Sequence, residues 1–93
     1  MEIQHREEGN KGEFYIEDNG SVIAELTYIL SGENTLVASH TGTHPRLRGQ
    51  GIAMKLVEAT VDYARQKNLK ISPMCSYVAW AFEQREDLRD VKI

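Results

Sequence analysis

The sequence predicts a single α+β domain with an α/β mixed sheet that is mostly antiparallel. Strand-like segments separated by turn residues come first, and an amphipathic helical pattern, a short apolar segment and a second helical pattern follow. The predicted order is therefore β-β-β-β-α-β-α. Because a chain of 93 residues provides for one hydrophobic core, we expect residues 1–93 to form one domain.

Turn residues separate the first four predicted strands. Asn19-Gly20 is typical of a tight hairpin, and segment 31–34 (Ser-Gly-Glu-Asn) indicates a second turn, so the strands around them form an antiparallel meander. The predicted strands cover residues 3–7, 12–17, 22–30 and 35–43, and the first is the weakest. Alternation along the third strand places Val22, Ala24, Leu26 and Tyr28 on one face and Ile23, Glu25, Thr27 and Ile29 on the other.

After the fourth strand the apolar residues recur with a helical period. Residues 51–67 predict an amphipathic helix, and Asn68 stands where a left-handed C-terminal cap is expected. Residues 69–72 predict a short strand that ends at Pro73, and residues 76–85 predict a second helix. The strands that flank the long helix are expected to be parallel neighbours, because a strand-helix-strand sequence forms a crossover.

The composition excludes several classes of protein. The net charge is −3 and no lysine–arginine cluster is present, so binding to nucleic acid or to an anionic membrane is not expected. No apolar run approaches the roughly 20 residues of a membrane span, and the polar residues 1–9 do not resemble a signal peptide. Cys75 is the only cysteine, which excludes an internal disulfide and favours a reducing, cytoplasmic location.

The most informative segment joins the fourth strand to the long helix. Gly49, Gly51 and Ala53 place small residues at every second position of this turn. The first amides of a helix lack intrahelical acceptors and lie at the positive end of the helix dipole, which suits a pyrophosphate, and Arg48 can add a charge-assisted contact. Alternatively, the glycines only permit positive φ angles in a sharp turn. The spacing matches neither the dinucleotide-binding glycine motif nor the P-loop.

The segment Arg48-Gly49-Gln50-Gly51-Ile52-Ala53 resembles the acetyl-CoA signature of the GNAT N-acetyltransferase superfamily, Gln/Arg-x-x-Gly-x-Gly/Ala. Together with His40-Thr41 and segment 73–78 (Pro-Met-Cys-Ser-Tyr-Val), residues 22–91 resemble the Yjdj-type minimal GNAT branch. Two departures stand out. Ser76 replaces a proline that is usual in this branch, and Arg85-Glu86 replaces a His-Pro pair.

This resemblance implies a GNAT-like mixed sheet with a splayed parallel pair of strands, and acetyl-CoA as co-substrate. Larger members have helices between their first two strands that form an acceptor wall. This chain has no such helices, so its acceptor site is expected to be open or completed by a partner, for example in a homodimer. The residues that the resemblance assigns to the cofactor are Thr41, Thr43, Arg48, Gly49, Gln50, Gly51, Ile52 and Ala53.

Three side chains are candidates for catalysis. His40 could take a proton from the amine, because histidine exchanges protons near neutral pH; alternatively, it is a half-buried strand residue bonded to a carbonyl. Cys75, near the start of the second helix, could accept the acetyl group or protonate the leaving thiolate, or it is a small buried apolar residue. Tyr77 is either a proton donor, as the tyrosine in the last motif of many GNAT enzymes implies, or a packing residue.

Other polar and aromatic residues are expected to be structural. Trp80 and Phe82 are assigned to the core or an interface, and His5 and His44 to the exposed surface. A cysteine hydrolase built on the strand histidine and the cysteine lacks a third, orienting residue and leaves the glycine turn unexplained. No metal site is expected, because the two histidines around the fourth strand do not lie on one helix face.

The sequence therefore predicts an acetyl-CoA-dependent N-acetyltransferase whose acceptor is an amine of a small molecule or of a protein. The alternative is a non-catalytic CoA-binding or interaction module. The missing acceptor helices motivate this alternative, and a phenotype of Cys75→Ala at intact folding would count against it.

Overall fold

The computed structural model describes residues 2–93 as one five-stranded sheet with two helices. The strands lie in sequence order, β1-β2-β3-β4-β5. The strands are β1 (Gln4–Glu8), β2 (Lys11–Asp18), β3 (Ser21–Ser31), β4 (Thr35–Thr43) and β5 (Lys70–Pro73). The helices are α1 (Ile52–Lys67) and α2 (Ser76–Gln84), and 3-10 turns cover Pro45–Leu47 and Glu86–Val91.

The sheet is mixed, as the sequence predicts. β1 to β4 pair antiparallel, and β4 pairs parallel with β5 after the α1 crossover. The parallel pairing joins Thr35–Ala38 to Lys70–Pro73 only, so β4 continues from Ser39 to Thr43 without a β5 partner. The predicted α+β class with a splayed parallel pair is confirmed.

Both helices pack on one face of the sheet and enclose the core there. α1 contacts β2 to β5, and α2 contacts α1, β4 and β5. Burying a Leu or Phe side chain stabilises the fold by about 1.5–3 kcal/mol, so this layer holds the helices in place. Its fully buried apolar side chains include Leu26, Leu36, Leu56, Val61 and Phe82. Within residues 2–93, neither helix is long and apolar enough to cross a membrane.

The predicted alternation along β3 is wrong at its start. Ile16 pairs with Ala24 and the next residue of β2 pairs with Val22, so Ile23 is an extra residue in a β-bulge. The bulge turns Val22 to the open face, where its side chain is 39% exposed, and buries Ile23. The hairpin before it is confirmed, since Asn19 and Gly20 both adopt positive φ.

The helix ends differ slightly from those predicted. Asn68 adopts the left-handed conformation and caps α1, as predicted. Gly51 precedes the first helical residue instead of belonging to the helix, and α2 ends at Gln84, one residue early. The C-terminal tail forms a 3-10 turn that buries Leu88 against the core.

Candidate active site

A second β-bulge lies where β4 separates from β5. Thr27 of β3 pairs with His40, but the next residue of β3 pairs with Ala38, so Ser39 is the extra residue of β4. The carbonyl of Ala38 accepts hydrogen bonds from the amides of Met74 (3.1 Å) and Cys75 (3.0 Å), which closes the paired part of the two strands. Beyond this point the chains diverge and a cleft opens between them.

The cleft has a volume of about 440 Å³ and lies on the helix-covered face. One wall is the unpaired half of β4, the second is the turn before α1, and the third is the exposed side of α2. The lining residues include Thr41, Thr43, Arg48, Gly49, Gly51, Ile52, Ala53, Tyr77 and Trp80. The gap between β4 and β5 therefore brings together most of the residues that the sequence assigns to the cofactor.

The turn before α1 exposes a series of backbone amides. Gly49 (φ +81°) and Gly51 (φ +74°) adopt left-handed conformations that side chains other than glycine rarely accept. Within residues 2–93, no protein oxygen accepts a hydrogen bond from the amides of residues 49–53. These amides and the positive end of the α1 dipole form a site with room for an anion.

The side chains of the turn divide into structural and available groups. Arg46 binds Asp18 at 2.7 Å, which connects the turn to the end of β2. Gln50 donates through its side-chain amide to the carbonyl of Arg46 at 3.2 Å, so it stabilises the turn itself. Arg48 lines the cleft and has no ion pair with residues 2–93, so its guanidinium is available to a ligand.

Cys75 lies immediately before α2, with its thiol beside the cleft. Its sulfur is 3.5 Å from the hydroxyl of Thr41. Burial of the thiol raises its pKa. Hydrogen bonds from the Thr41 hydroxyl, and then from the amides of Val78 and Tyr77, lower it by more. The pKa of Cys75 is therefore below the ordinary value, which increases the thiolate population at neutral pH.

Two aromatic residues of α2 form the remaining wall of the cleft. Tyr77 and Trp80 lie one turn apart with ring centroids separated by 5.5 Å. Burial raises the pKa of Tyr77, which keeps its hydroxyl protonated at neutral pH. Phe82 is a core residue as predicted, whereas Trp80 is 48% exposed, so of its two predicted locations, core or interface, the core is wrong. The three-residue spacing from Tyr77 is the sequence signal that could have placed Trp80 at the cleft.

Of the three candidate catalytic residues, His40 alone lies on the face of the sheet opposite the cleft. It follows the bulge and its side chain lies on the opposite, open face of the sheet, where it is exposed. A Cβ built on Gly42 would come within 3.3 Å of His40 Nε2 and 3.7 Å of Glu25 Oε1. These two polar tips therefore converge above Gly42, at the back of the gap between β4 and β5.

The structure also contains a polar network that the sequence does not reveal. Tyr28 and Tyr63 both donate hydrogen bonds to Glu7, at 2.6 and 2.8 Å, and His5 Nε2 lies 2.6 Å from the hydroxyl of Tyr28. His5 is exposed, as the sequence predicted, but its ring also stacks on Phe14 with 4.2 Å between ring centroids. These hydrogen-bonded residues are far apart in sequence, so no local sequence pattern predicts their contact.

The hydrogen bonds of this network shift the pKa of each member. Hydrogen bonds from Tyr28 and then Tyr63 lower the pKa of Glu7. Burial, followed by the bond to the carboxylate, raises the pKa of both tyrosines. Burial lowers the pKa of His5, so its ring is held neutral. We call His5, Glu7, Tyr28 and Tyr63 the β1–α1 network.

The comparisons with known proteins agree on one family. The model of GCN5-related N-acetyl-transferases matches residues 13–91. A GCN5-like protein from Staphylococcus aureus is 35% identical, with a TM-score of 0.74 over 99% of this chain and 87% of its own. A GNAT-family protein, also from S. aureus, is 26% identical, with a TM-score of 0.62 over 71% of this chain and 57% of its own.

A more distant structure shares the fold alone. It is a GNAT family acetyltransferase from Elizabethkingia anophelis with acetyl-CoA bound, 16% identical, with a TM-score of 0.60 over 81% of this chain and 52% of its own. This chain thus spans little more than half the length of the second and third of these structures. No curated protein matches the sequence.

Proposed function

The chain belongs to the GCN5-related N-acetyltransferase family, which makes it an acetyltransferase, and we propose that it transfers an acetyl group from acetyl-CoA to an amine through the cleft between β4 and β5. One observation carries the proposal. The cleft is lined by a series of amides that no described protein oxygen uses, and Thr41 of its wall lies 3.5 Å from the sulfur of Cys75, a cysteine whose pKa is lowered.

The residues of the cleft fit the chemical groups of acetyl-CoA. The amides of Gly49, Gln50, Gly51, Ile52 and Ala53 would hold the pyrophosphate, and the guanidinium of Arg48 would add a charge-assisted contact. Beyond Ala38, the edge of β4 at Thr41 and Thr43 has no β5 partner, so its backbone groups are available to the amides of the pantetheine arm. When bound, acetyl-CoA supplies the acetyl group as an activated thioester.

Tyr77, which lines the cleft, and Cys75, which contacts Thr41 of its wall, have different protonation tendencies. Cys75 favours the thiolate, which suits a nucleophile that takes the acetyl group as a thioester of its own sulfur. Tyr77 stays protonated, which suits a donor of the proton that the departing thiolate requires. Proton donation by Cys75 is the other route, and acetylation of the isolated enzyme separates the two.

His40 remains the candidate base, on the acceptor side. The splay of β4 from β5 leaves a gap in the sheet, and His40 lies behind it on the face opposite Cys75. An amine that approaches from the open face would meet this histidine before it reaches the gap. The carboxylate of Glu25, close to the same point, would attract an amine that arrives as an ammonium ion.

Mass spectrometry after exposure to acetyl-CoA tests the proposal. The purified chain is incubated with acetyl-CoA alone and with a panel of amines, while free thiol is followed in parallel. Turnover with at least one amine is expected, and acetyl on Cys75 in the absence of amine supports the covalent route. If calorimetry shows that CoA binds but no amine is acetylated, the non-catalytic CoA-binding module replaces the enzyme.

A further inference from the structure

The face of the sheet that the helices leave open carries an elongated trough of about 620 Å³. It begins at Ser39, the bulged residue of β4, and at Thr27, whose cross-strand neighbour is His40. From there it crosses β3 and β2 and ends at Arg6 and Glu8 on β1. One end of the trough is therefore adjacent to the position proposed for acetyl transfer.

The length of the trough exceeds the length of a simple amine. Neighbouring strands lie about 4.8 Å apart, so the distance from β4 to β1 is about 14 Å. An extended polypeptide advances about 3.3 Å per residue, so roughly four residues would fill this distance. A small amine would occupy only the end nearest His40 and would leave the rest of the trough unused.

The charges of the trough are mixed and in part unpaired. Glu8 and Lys11 are cross-strand neighbours, and neither forms an ion pair with any residue from 2 to 93. Arg6, in contrast, is engaged by Glu13 and lies 4.2 Å from the ring centroid of Tyr15. The trough thus offers a ligand one anionic and one cationic side chain.

This combination selects among possible acceptors. A polyamine could pair with Glu8 but would bring a like charge to Lys11, and an apolar amine could contact Ile29 but would leave Lys11 and Glu8 unpaired. A peptide that carries charges of both signs can pair with each. The hydroxyls of Thr27 and Ser39, which lie 3.2 Å apart, add polar contacts at the entrance to the gap.

We propose that the trough binds an extended segment of a protein acceptor and delivers a lysine side chain of that segment to the β4 bulge. The inference rests on the proposed acetyltransferase function and gives it a substrate class, lysine within a polypeptide. In this proposal the open face of the sheet binds the acceptor, a task that the helices between the first two strands perform in larger members.

Acetylation kinetics with matched acceptors test this inference. The full chain is assayed with a lysine blocked at both its α-amine and its carboxyl group, and with hexapeptides that carry the same lysine between acidic, basic or mixed flanking residues. We expect kcat/KM for the mixed-charge hexapeptide to exceed that for the blocked lysine by roughly tenfold, because contacts remote from the reacting amine contribute to transition-state binding.

Charge reversals in the trough should then change the preference among peptides. Lys11→Glu should shift the kcat/KM ratio towards basic flanking residues by roughly three- to tenfold, and Glu8→Lys should shift it the opposite way. Lys92→Glu, in the exposed C-terminal tail, is the matched control and should leave the ratio unchanged. Lys92→Glu should also acetylate the blocked lysine at the wild-type rate.

Three outcomes would overturn the inference. Equal kcat/KM for the blocked lysine and every hexapeptide would show that the trough does not bind the acceptor, while the proposed acetyltransferase function would still stand. Amide chemical shifts that move on peptide addition at places other than Lys11, Thr27 and Ser39 would put the peptide elsewhere, and this readout does not depend on catalysis. If the wild type sediments as a dimer and Lys11→Glu sediments as a monomer, the open face of the sheet binds a second copy of the chain instead of a peptide.

Discussion

The β1–α1 network and the group formed by Thr41, Cys75 and Tyr77 lie on the same face of the sheet but differ in their free hydrogen-bonding capacity. In the network, the tyrosine hydroxyls already bind Glu7, and the ring of His5 stacks on Phe14. The cleft group instead borders an open space in which neighbouring amides have no described acceptor.

The larger displacement in pKa belongs to the network, not to the cleft. Burial and the bond to Glu7 raise the pKa of Tyr28 well above its usual range, yet this side chain is 1% exposed and its hydroxyl is already bonded to Glu7 and His5. The shift at Cys75 is smaller, but its sulfur contacts Thr41, which lines the cleft beside the unpaired amides of the turn. A displaced pKa therefore reports burial and pairing, and hydrogen-bonding groups that no protein atom uses are what distinguish a candidate active site.

The largest expected effect is on catalysis through Cys75. Cys75→Ala should lower kcat by roughly a hundredfold or more if the thiol takes the acetyl group or donates a proton. The free energy of unfolding should change by less than about 1 kcal/mol, because the side chain is small and only half-buried. Ser76→Ala, at the exposed neighbouring position, is the control. Full activity of Cys75→Ala in a stopped thiol-release assay would show that the thiol has no catalytic role.

The second effect is on cofactor binding through the turn. Gly51→Asp should weaken CoA binding by roughly tenfold or more, because a carboxylate would repel the pyrophosphate that the amides attract. Gly32→Asp is a matched control, since Gly32 also adopts positive φ with no atom within 4 Å of an added Cβ, but in a turn distant from the cleft. Equal affinities of the two variants in calorimetry would show that backbone strain alone explains any loss.

The third effect is on stability through the network. Tyr28→Phe removes the hydroxyl that links His5 to Glu7 and should lower the free energy of unfolding by about 1–2 kcal/mol. The matched control is Tyr15→Phe, whose hydroxyl makes a single bond of 3.4 Å to Gln4 and should contribute little. Acetyl transfer by folded Tyr28→Phe should be unchanged. A loss of kcat without a loss of stability would show that the network contributes to catalysis.

The smallest effect is the response of stability to acid. The pKa of Glu7 is lower in the folded chain than in the unfolded chain, because Tyr28 and Tyr63 donate to its carboxylate. Its contribution to stability is therefore present above the ordinary pKa of glutamate and is lost as the pH falls through the folded value. Urea unfolding from pH 7 to pH 3 should show a shallower decline for Glu7→Gln than for the wild type, whereas Glu8→Gln should follow the wild type.

Local patterns predicted the order of elements and the conformation of the turn before α1. Hairpin residues such as Asn19-Gly20 and the left-handed cap at Asn68 have strong intrinsic preferences, so their neighbours had little influence on the outcome. The glycine turn was predictable for the same reason, since Gly49 and Gly51 both adopt positive φ.

Features that depend on pairing across the sheet were not predictable. The bulge at Ser39 arises from how β4 aligns with β3, and it decides that His40 faces away from Cys75. Alternation counted along one strand cannot detect an extra residue, as Val22 and Ile23 also demonstrate. The β1–α1 network was not predicted for a related reason, because its hydrogen bonds join residues as far apart as Glu7 and Tyr63.

The link between Arg46 and Asp18 has a practical consequence for protein engineering. The tip of the β2–β3 hairpin, at Asn19-Gly20, is an exposed turn of the kind usually chosen for inserting a tag or a reporter peptide. Here Asp18 holds Arg46, and the carbonyl of Ile23 accepts a hydrogen bond from the amide of His44 at 2.8 Å. A graft at this hairpin would therefore disturb the turn before α1, so loop 31–34, at the other end of β3, is the safer attachment point.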